Sequence, residues 1–178
     1  ELQDFGVRDL RRRLLFGGLP QNLAAEHFPE KDFAEWIDAF WARDIQEMFR
    51  LERRSAFVRL LELLLAQSGS LCELTGMAAP CGASRQTLAN YLKVLEETGA
   101  VHVLRPYAKN PQREITAMPK VYGFDTGFVC YARGWREVRP EDLGLLWEHL
   151  VLDELGARFG MGEIQYWRDK QKHEVDFV

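Results

Sequence analysis

The sequence predicts a mainly α-helical protein with a small β component, and three observations carry that prediction. Apolar residues recur at three-and-four spacing over long stretches, as in Phe33, Trp36, Ile37, Phe40, Trp41, Ile45, Met48 and Phe49. Strand-like runs are short, confined to residues 101–104, 120–124, 164–168 and 174–178. Breaks bearing Gly or Pro divide the helical periods into short units. With 47% hydrophobic and 12% aromatic residues in a chain of 178, one or two domains with real cores are expected.

In chain order, a helix-like stretch from Val7 to Phe16 meets a turn at Gly17-Gly18-Leu19-Pro20. A long amphipathic helix follows Pro29, with Asp32 as its expected start. Phe57, Leu60, Leu61, Leu64 and Leu65 repeat the pattern from a Ser55 cap, and Gly69 closes that helix. A short helix from Leu71 to about Ala78 runs into a turn at Ala79-Pro80-Cys81-Gly82-Ala83. Ser84 then caps a helix whose stripe is Leu88, Tyr91, Leu92 and Leu95, ended by Gly99 after Thr98. Val101–Leu104 reads as a strand, Arg105 to about Gln112 as a loop, and Lys120–Phe124 as a returning strand. Helix, helix, turn, helix and hairpin is the order of a winged helix-turn-helix. After a drop in apolar density at Gly134–Pro140, a helix period returns at Leu143, Leu146, Trp147, Leu150, Val151 and Leu155. Two strands about a charged turn at Asp169–Lys172 complete the chain. The expected organisation is a helical connector over 1–54, the winged helix over 55–134, and the start of an α/β unit over 135–178.

Composition narrows the function classes. A formal net charge of −4 argues against a wholly basic coat protein, so any nucleic-acid contact is regional. Cys72, Cys81 and Cys130 lack zinc-site spacing and are expected as reduced thiols of a cytoplasmic protein, the first two packed. No run approaches a membrane span, and the first residues do not resemble a signal peptide. The start on Glu1 and the stop on Val178 within a β-prone run lead us to expect a piece of a longer protein. A strand edge there offers a route to a homo-oligomer.

Two constellations could carry chemistry. Residues 84–120 hold Arg85, Lys93, Arg105, Lys109, Arg113 and Lys120 against Glu96, Glu97 and Glu114, a net positive stretch in a negative chain. Arg85, Gln86, Asn90 and Lys93 would face a DNA groove, and Arg105, Lys109, Arg113 and Lys120 would meet phosphates from the wing; a protein partner is the alternative occupant. The second constellation is Glu148 on the late helix with Asp176 on the last strand, a pair that could meet around Mg²⁺. Glu154 and Glu174 are equally available acids, and pairing with Arg168 or Lys172 is the structural alternative. No G-x-x-x-x-G-K-[ST] occurs, so Gly17-Gly18 is a turn and no nucleotide site is expected in this chain. His27, His102, His149 and His173 lack partner spacing and are expected on the surface or in strands, whereas Trp36, Trp41 and Trp147 are expected in the core.

Several blocks together carry a resemblance: Phe16-Gly-Gly-Leu-Pro20, Trp41-Ala-Arg-Asp-Ile45, Ser84 to Leu92, Leu95-Glu96, Arg105-Pro-Tyr107, Pro119-Lys120, Phe124-Asp-Thr-Gly127, Trp147-Glu148, Tyr166-Trp-Arg-Asp169 and Glu174-Val-Asp176. In this order they resemble the C-terminal domain of unknown function that follows the ATPase module in prokaryotic AAA-type ATPases. The resemblance implies an upstream P-loop ATPase in cis using ATP and Mg²⁺, a winged helix and a restriction-endonuclease-like part. It matches Glu148 and Asp176 to the acids of a PD-(D/E)XK-like motif. The Walker motifs and the E-x-K are absent from this sequence, so the chain alone is expected to be neither ATPase nor nuclease. Three readings stay open: a module coupling DNA or partner binding to an ATPase, a metal-dependent nuclease in the longer protein, and an assembly platform.

Overall fold

A computed structural model of the chain describes residues 9–49, 51, 53–107, 118–169 and 171–178. Asp9 caps α1 (Leu10–Phe16), its carboxylate accepting from the Arg11 amide at 2.9 Å. Val7 and Arg8, where the helix was expected to begin, lie outside the described residues. The turn at Gly17-Gly18 leads to α2 (Pro20–Ala24) and then α3 (Glu30–Phe40). The latter begins two residues before the expected Asp32, because Pro29 fixes the chain ahead of it and Glu30 and Asp32 both suit a first turn. A π-helical turn at Trp41–Ile45 continues it into α4 (Gln46–Phe49).

The next helix, α5 (Arg54–Ala66), takes Arg53 as its cap and Ser55 into its first turn, correcting the expected Ser55 cap. Where a helix was expected from Leu71, β1 (Ser70–Leu71) comes first and α6 spans Leu74–Cys81 from a Glu73 cap. Pro80 is accommodated inside α6, one residue before its end, and Gly82 turns the chain with a left-handed φ of 61°. Ser84 caps α7 (Arg85–Glu97) as expected, its hydroxyl accepting from the Thr87 amide at 3.1 Å.

The strand β2 (Val101–Leu104) pairs antiparallel with β3 (Lys120–Gly123), which also pairs with β1, giving the order β1-β3-β2. A helix not anticipated from the pattern, α8 (Thr126–Ala132), follows β3. The long α9 (Leu143–Phe159) leads to the hairpin of β4 (Trp167–Arg168) and β5 (Glu174–Val175). Residues 164–166, expected as strand, instead follow a 3-10 turn and touch the sheet only through a parallel bridge of Tyr166 to Pro106.

The largest core collects Phe33, Ile37, Phe40, Trp41 and Ile45 with Phe57, Leu60, Leu61, Leu88 and Leu95, so side chains from both sides of residue 54 share it. A smaller one joins Leu14, Cys130, Val138 and Leu146, again across residue 134. Trp147 is 54% exposed, against the expectation of a core aromatic, since the buried stripe of α9 runs through Leu146, His149 and Leu152 instead.

The Gly-Gly-Leu-Pro turn is explained by Asp125. Its buried carboxylate caps α8, accepting from Gly127 at 2.8 Å, and also accepts from the Gly18 amide at 2.6 Å. Gly17 sits at φ 83° with an imagined Cβ 2.0 Å from Asp125 Oδ1, so any side chain there would expel the cap. The turn is thus a docking point between α1 and α8.

Candidate nucleic-acid interface and carboxylate cluster

The helix α7 packs Leu88, Tyr91, Leu92, Val94 and Leu95 inward against α5, α6 and β2. Its other side is a solvent stripe of Gln86, Asn90, Lys93 and Glu97, spaced four, three and four residues apart, with Arg85 exposed at the helix start. Gln86 Nε2 donates to Asn90 Oδ1 at 3.3 Å, so two side-chain amides lie side by side on that stripe. The positive charge is less available than the sequence suggested. Lys93 lies 3.5 Å from Glu97, and Arg105 makes a two-armed contact with Glu96 at 2.9 and 3.3 Å. Among the described residues Arg85 makes no ion pair, while Lys109 and Arg113 lie outside the described residues.

Lys120 departs from the expected role altogether. Its side chain is 4% exposed, and Nζ lies 2.5 Å from Glu174, 2.9 Å from Asp176 and 3.7 Å from Glu148. A nitrogen enclosed by three carboxylates is not presented to a phosphate, so Lys120 is removed from the candidate wing contacts. The cause is its place at the start of the central strand, in register with both Leu71 and Leu104 and covered by α9 and the terminal hairpin. Burial alone lowers its pKa, but hydrogen bonds to Glu174 and Asp176 outweigh that and hold it above the ordinary lysine value.

Glu148 and Asp176 are therefore brought together, as expected of a carboxylate pair, but around an internal ammonium. The Tyr122 hydroxyl donates to Glu148, and Arg168 adds a second cation 3.3 Å from Glu174. Burial raises the Glu148 pKa, with the Tyr122 hydrogen bond opposing and the neighbouring Asp176 adding to the rise. Burial likewise raises that of Tyr122. In this arrangement one oxygen each of Glu148, Glu174 and Asp176 is turned to Lys120. Among the described residues no group of three or more His, Cys, Asp or Glu has metal-holding geometry. What the cluster does is hold β3, α9 and the terminal hairpin on one buried charge.

Two further polar centres emerge only in three dimensions. His149, expected on the surface or in a strand, lies in α9 and is 2% exposed, with Nε2 3.0 Å from Ser68 Oγ and its ring edge-on to Tyr122. Ser68 also accepts from the Gly123 amide at 2.7 Å, which leaves its hydroxyl proton for the imidazole. Burial pushes His149 down to about 4. Asp153, one helical turn further along α9, faces Arg13 at 3.7 Å, and burial pushes its carboxyl up to about 6.

Comparison with known proteins places these elements in a family. Residues 7–139 match the model of the family described as Domain of unknown function (DUF8612), a span that takes in α7 and the three-stranded sheet. The chain belongs to this family. Two relatives of the chain are the uncharacterized protein Rv2008c of Mycobacterium tuberculosis and the uncharacterized protein Mb2031c of Mycobacterium bovis. Each is 28% identical over 183 residues, covering 98% of this chain and 41% of the relative. The chain thus spans about two-fifths of the length of the curated relatives it matches. No solved structure matches. Glu148, Glu174 and Asp176 lie after the matched span and Lys120 within it.

Proposed function

We propose that residues 54–123 of this DUF8612 chain form a winged helix-turn-helix that binds duplex DNA through the exposed stripe of α7, within a longer ATPase. The observation that carries the reading is that stripe: Arg85, Gln86, Asn90 and Lys93 stand in solvent on a helix whose opposite face is fully committed to the core. Support comes from the order helix, strand, helix, three-residue turn, helix, strand and strand, with β3 central. That arrangement presents its last helix to a major groove. The side-chain amides of Gln86 and Asn90 suit adenine edges, and Arg85 suits a phosphate or guanine. The upstream ATPase rests on the sequence resemblance and is compatible with relatives more than twice as long as this chain.

The test is fluorescence anisotropy with a labelled duplex of about 20 base pairs, titrated from roughly 50 to 200 mM salt. Arg85→Glu combined with Lys93→Glu is expected to weaken binding at least about tenfold and to flatten the salt slope by about one to two. Unchanged binding by the double variant overturns the interface, and capture of a protein in place of DNA moves the same face to a docking role.

A further inference from the structure

The open end of the β2–β3 pair is held on the β3 side by β1, with the Cys72 amide donating to the Pro119 carbonyl at 2.7 Å, and by a second segment, residues 164–178. The Tyr166 amide donates to the Arg105 carbonyl at 3.2 Å, and its own carbonyl accepts from the Tyr107 amide at 2.6 Å. The Tyr166 hydroxyl donates to the Met118 carbonyl at 2.5 Å. One residue therefore bonds both to the chain leaving β2 and to the chain entering β3. Two residues beyond Met118, Lys120 is held by Glu174 and Asp176, which follow the hairpin turn, and by Glu148 of α9. The segment closes on itself, since Gln165 and Val178 exchange backbone hydrogen bonds at 3.2 and 2.7 Å. Beneath these contacts Leu104, Tyr122, Leu152, Ile164 and Tyr166 share a buried cluster.

In the sheet β1-β3-β2 the strand β2 is an edge, bonded within the sheet to β3 alone, so what grips the chain leaving it helps decide where that end points. Here Arg105, at that end, is also bonded to Glu96 of α7. The ribbon end thus stands between the candidate interface and the terminal hairpin. We propose that residues 164–178 are a positioning clamp that sets the β2–β3 ribbon against α7 and couples ligand contact at α7 and Arg105 to the terminal hairpin. Tyr166 and Lys120 are its positioning residues; the ligand half of the inference rests on the duplex-binding reading, the clamp itself does not. Coupling of this kind is reciprocal: contact at the interface tightens the hairpin, and whatever engages the hairpin alters the interface.

Amide hydrogen exchange on the whole chain tests both halves separately. Tyr166→Phe combined with Glu174→Gln and Asp176→Asn removes the segment's side-chain grips on Met118 and Lys120 while leaving its backbone hydrogen bonds and the apolar cluster in place. Without DNA, this variant is expected to exchange faster at residues 101–107 and 118–123 by roughly fivefold, the factor one net hydrogen bond is worth, with α5 unchanged. No acceleration there overturns the clamp whether or not the chain binds DNA. With saturating duplex, the wild-type chain is expected to gain protection at both 84–98 and 164–178, and the variant at 84–98 alone. Remote protection that survives in the variant, or is missing in a wild-type chain protected at 84–98, overturns the coupling. Absence of protection at 84–98 in the wild-type chain strikes the duplex-binding reading and the coupling with it, and the measurement without DNA still decides the clamp.

Discussion

His149 and Asp153 lie four residues apart on α9 and are pushed in opposite directions by the same cause. Burial takes the imidazole from 6.5 down to about 4 and the carboxyl from 3.8 up to about 6. For His149 the unfolded chain binds the extra proton between those values, so its neutral burial contributes stability that is lost as pH falls through the window. The size is about 3 kcal/mol over the whole interval. For Asp153 the folded chain holds the extra proton, so acidification through its window adds stability and raising the pH removes it. The side chain is 30% exposed beside Arg13, and screening reduces the full figure to roughly 1–2 kcal/mol. The two slopes cancel in part in the wild-type chain, and single substitutions separate them. Urea unfolding of His149→Gln and Asp153→Asn against wild type, at steps between about pH 7 and pH 4, reads each contribution as a difference. His149→Gln is expected to gain on wild type by about 3 kcal/mol as pH falls. Asp153→Asn is expected to lose ground by about 1–2 kcal/mol over the same range, being most favourable near neutrality. Difference curves that are flat, or that slope the same way, would refute the assignment of these groups as oppositely shifted by burial.

Three further outcomes follow from particular contacts. Lys120→Met leaves Glu148, Glu174 and Asp176 without their shared cation and is expected to cost about 3–5 kcal/mol in urea unfolding, partly recovered at acid pH as the carboxylates take up protons. Glu96→Gln removes a negative charge beside the exposed stripe of α7 and one carboxylate partner of Arg105; duplex affinity is expected to rise about three- to tenfold, and a loss of affinity would contradict the interface. Burial lifts the Cys72 and Cys130 thiols to about 11 and about 12. In the folded chain both should react with a disulfide reagent at least about a hundredfold more slowly than after unfolding, as followed by thiolate release.

Where sequence and structure agree, a local signal was strong enough to survive packing. Ser84, the stripe from Leu88 to Leu95 and Gly99 specify α7 without help from the rest of the chain, and the structure reproduces that helix within a residue. The convergence of Glu148 and Asp176 was legible from helix and strand placement, but the lysine between them was not. Lys120 begins a strand of which all four residues are buried, and a strand covered on both faces erases the alternation that would mark a charged side chain as inward. β1 was missed because two residues make no pattern, and α8 because its start depends on the capping carboxylate of Asp125, whose second oxygen is fixed by Gly18 from far away in sequence. His149 was readable in principle, standing three residues from both Leu146 and Leu152. The apolar side chains that surround α9 hid that stripe and promoted Trp147 in its place.

The duplex-binding reading is tested most directly by photo-crosslinking from within the stripe. A photoreactive amino acid at Asn90, compared with one at Trp147 on α9, which is also exposed, should attach labelled duplex from the first position and not from the second. Crosslinking from position 147 alone, or duplex binding with no crosslink from position 90, would contradict it.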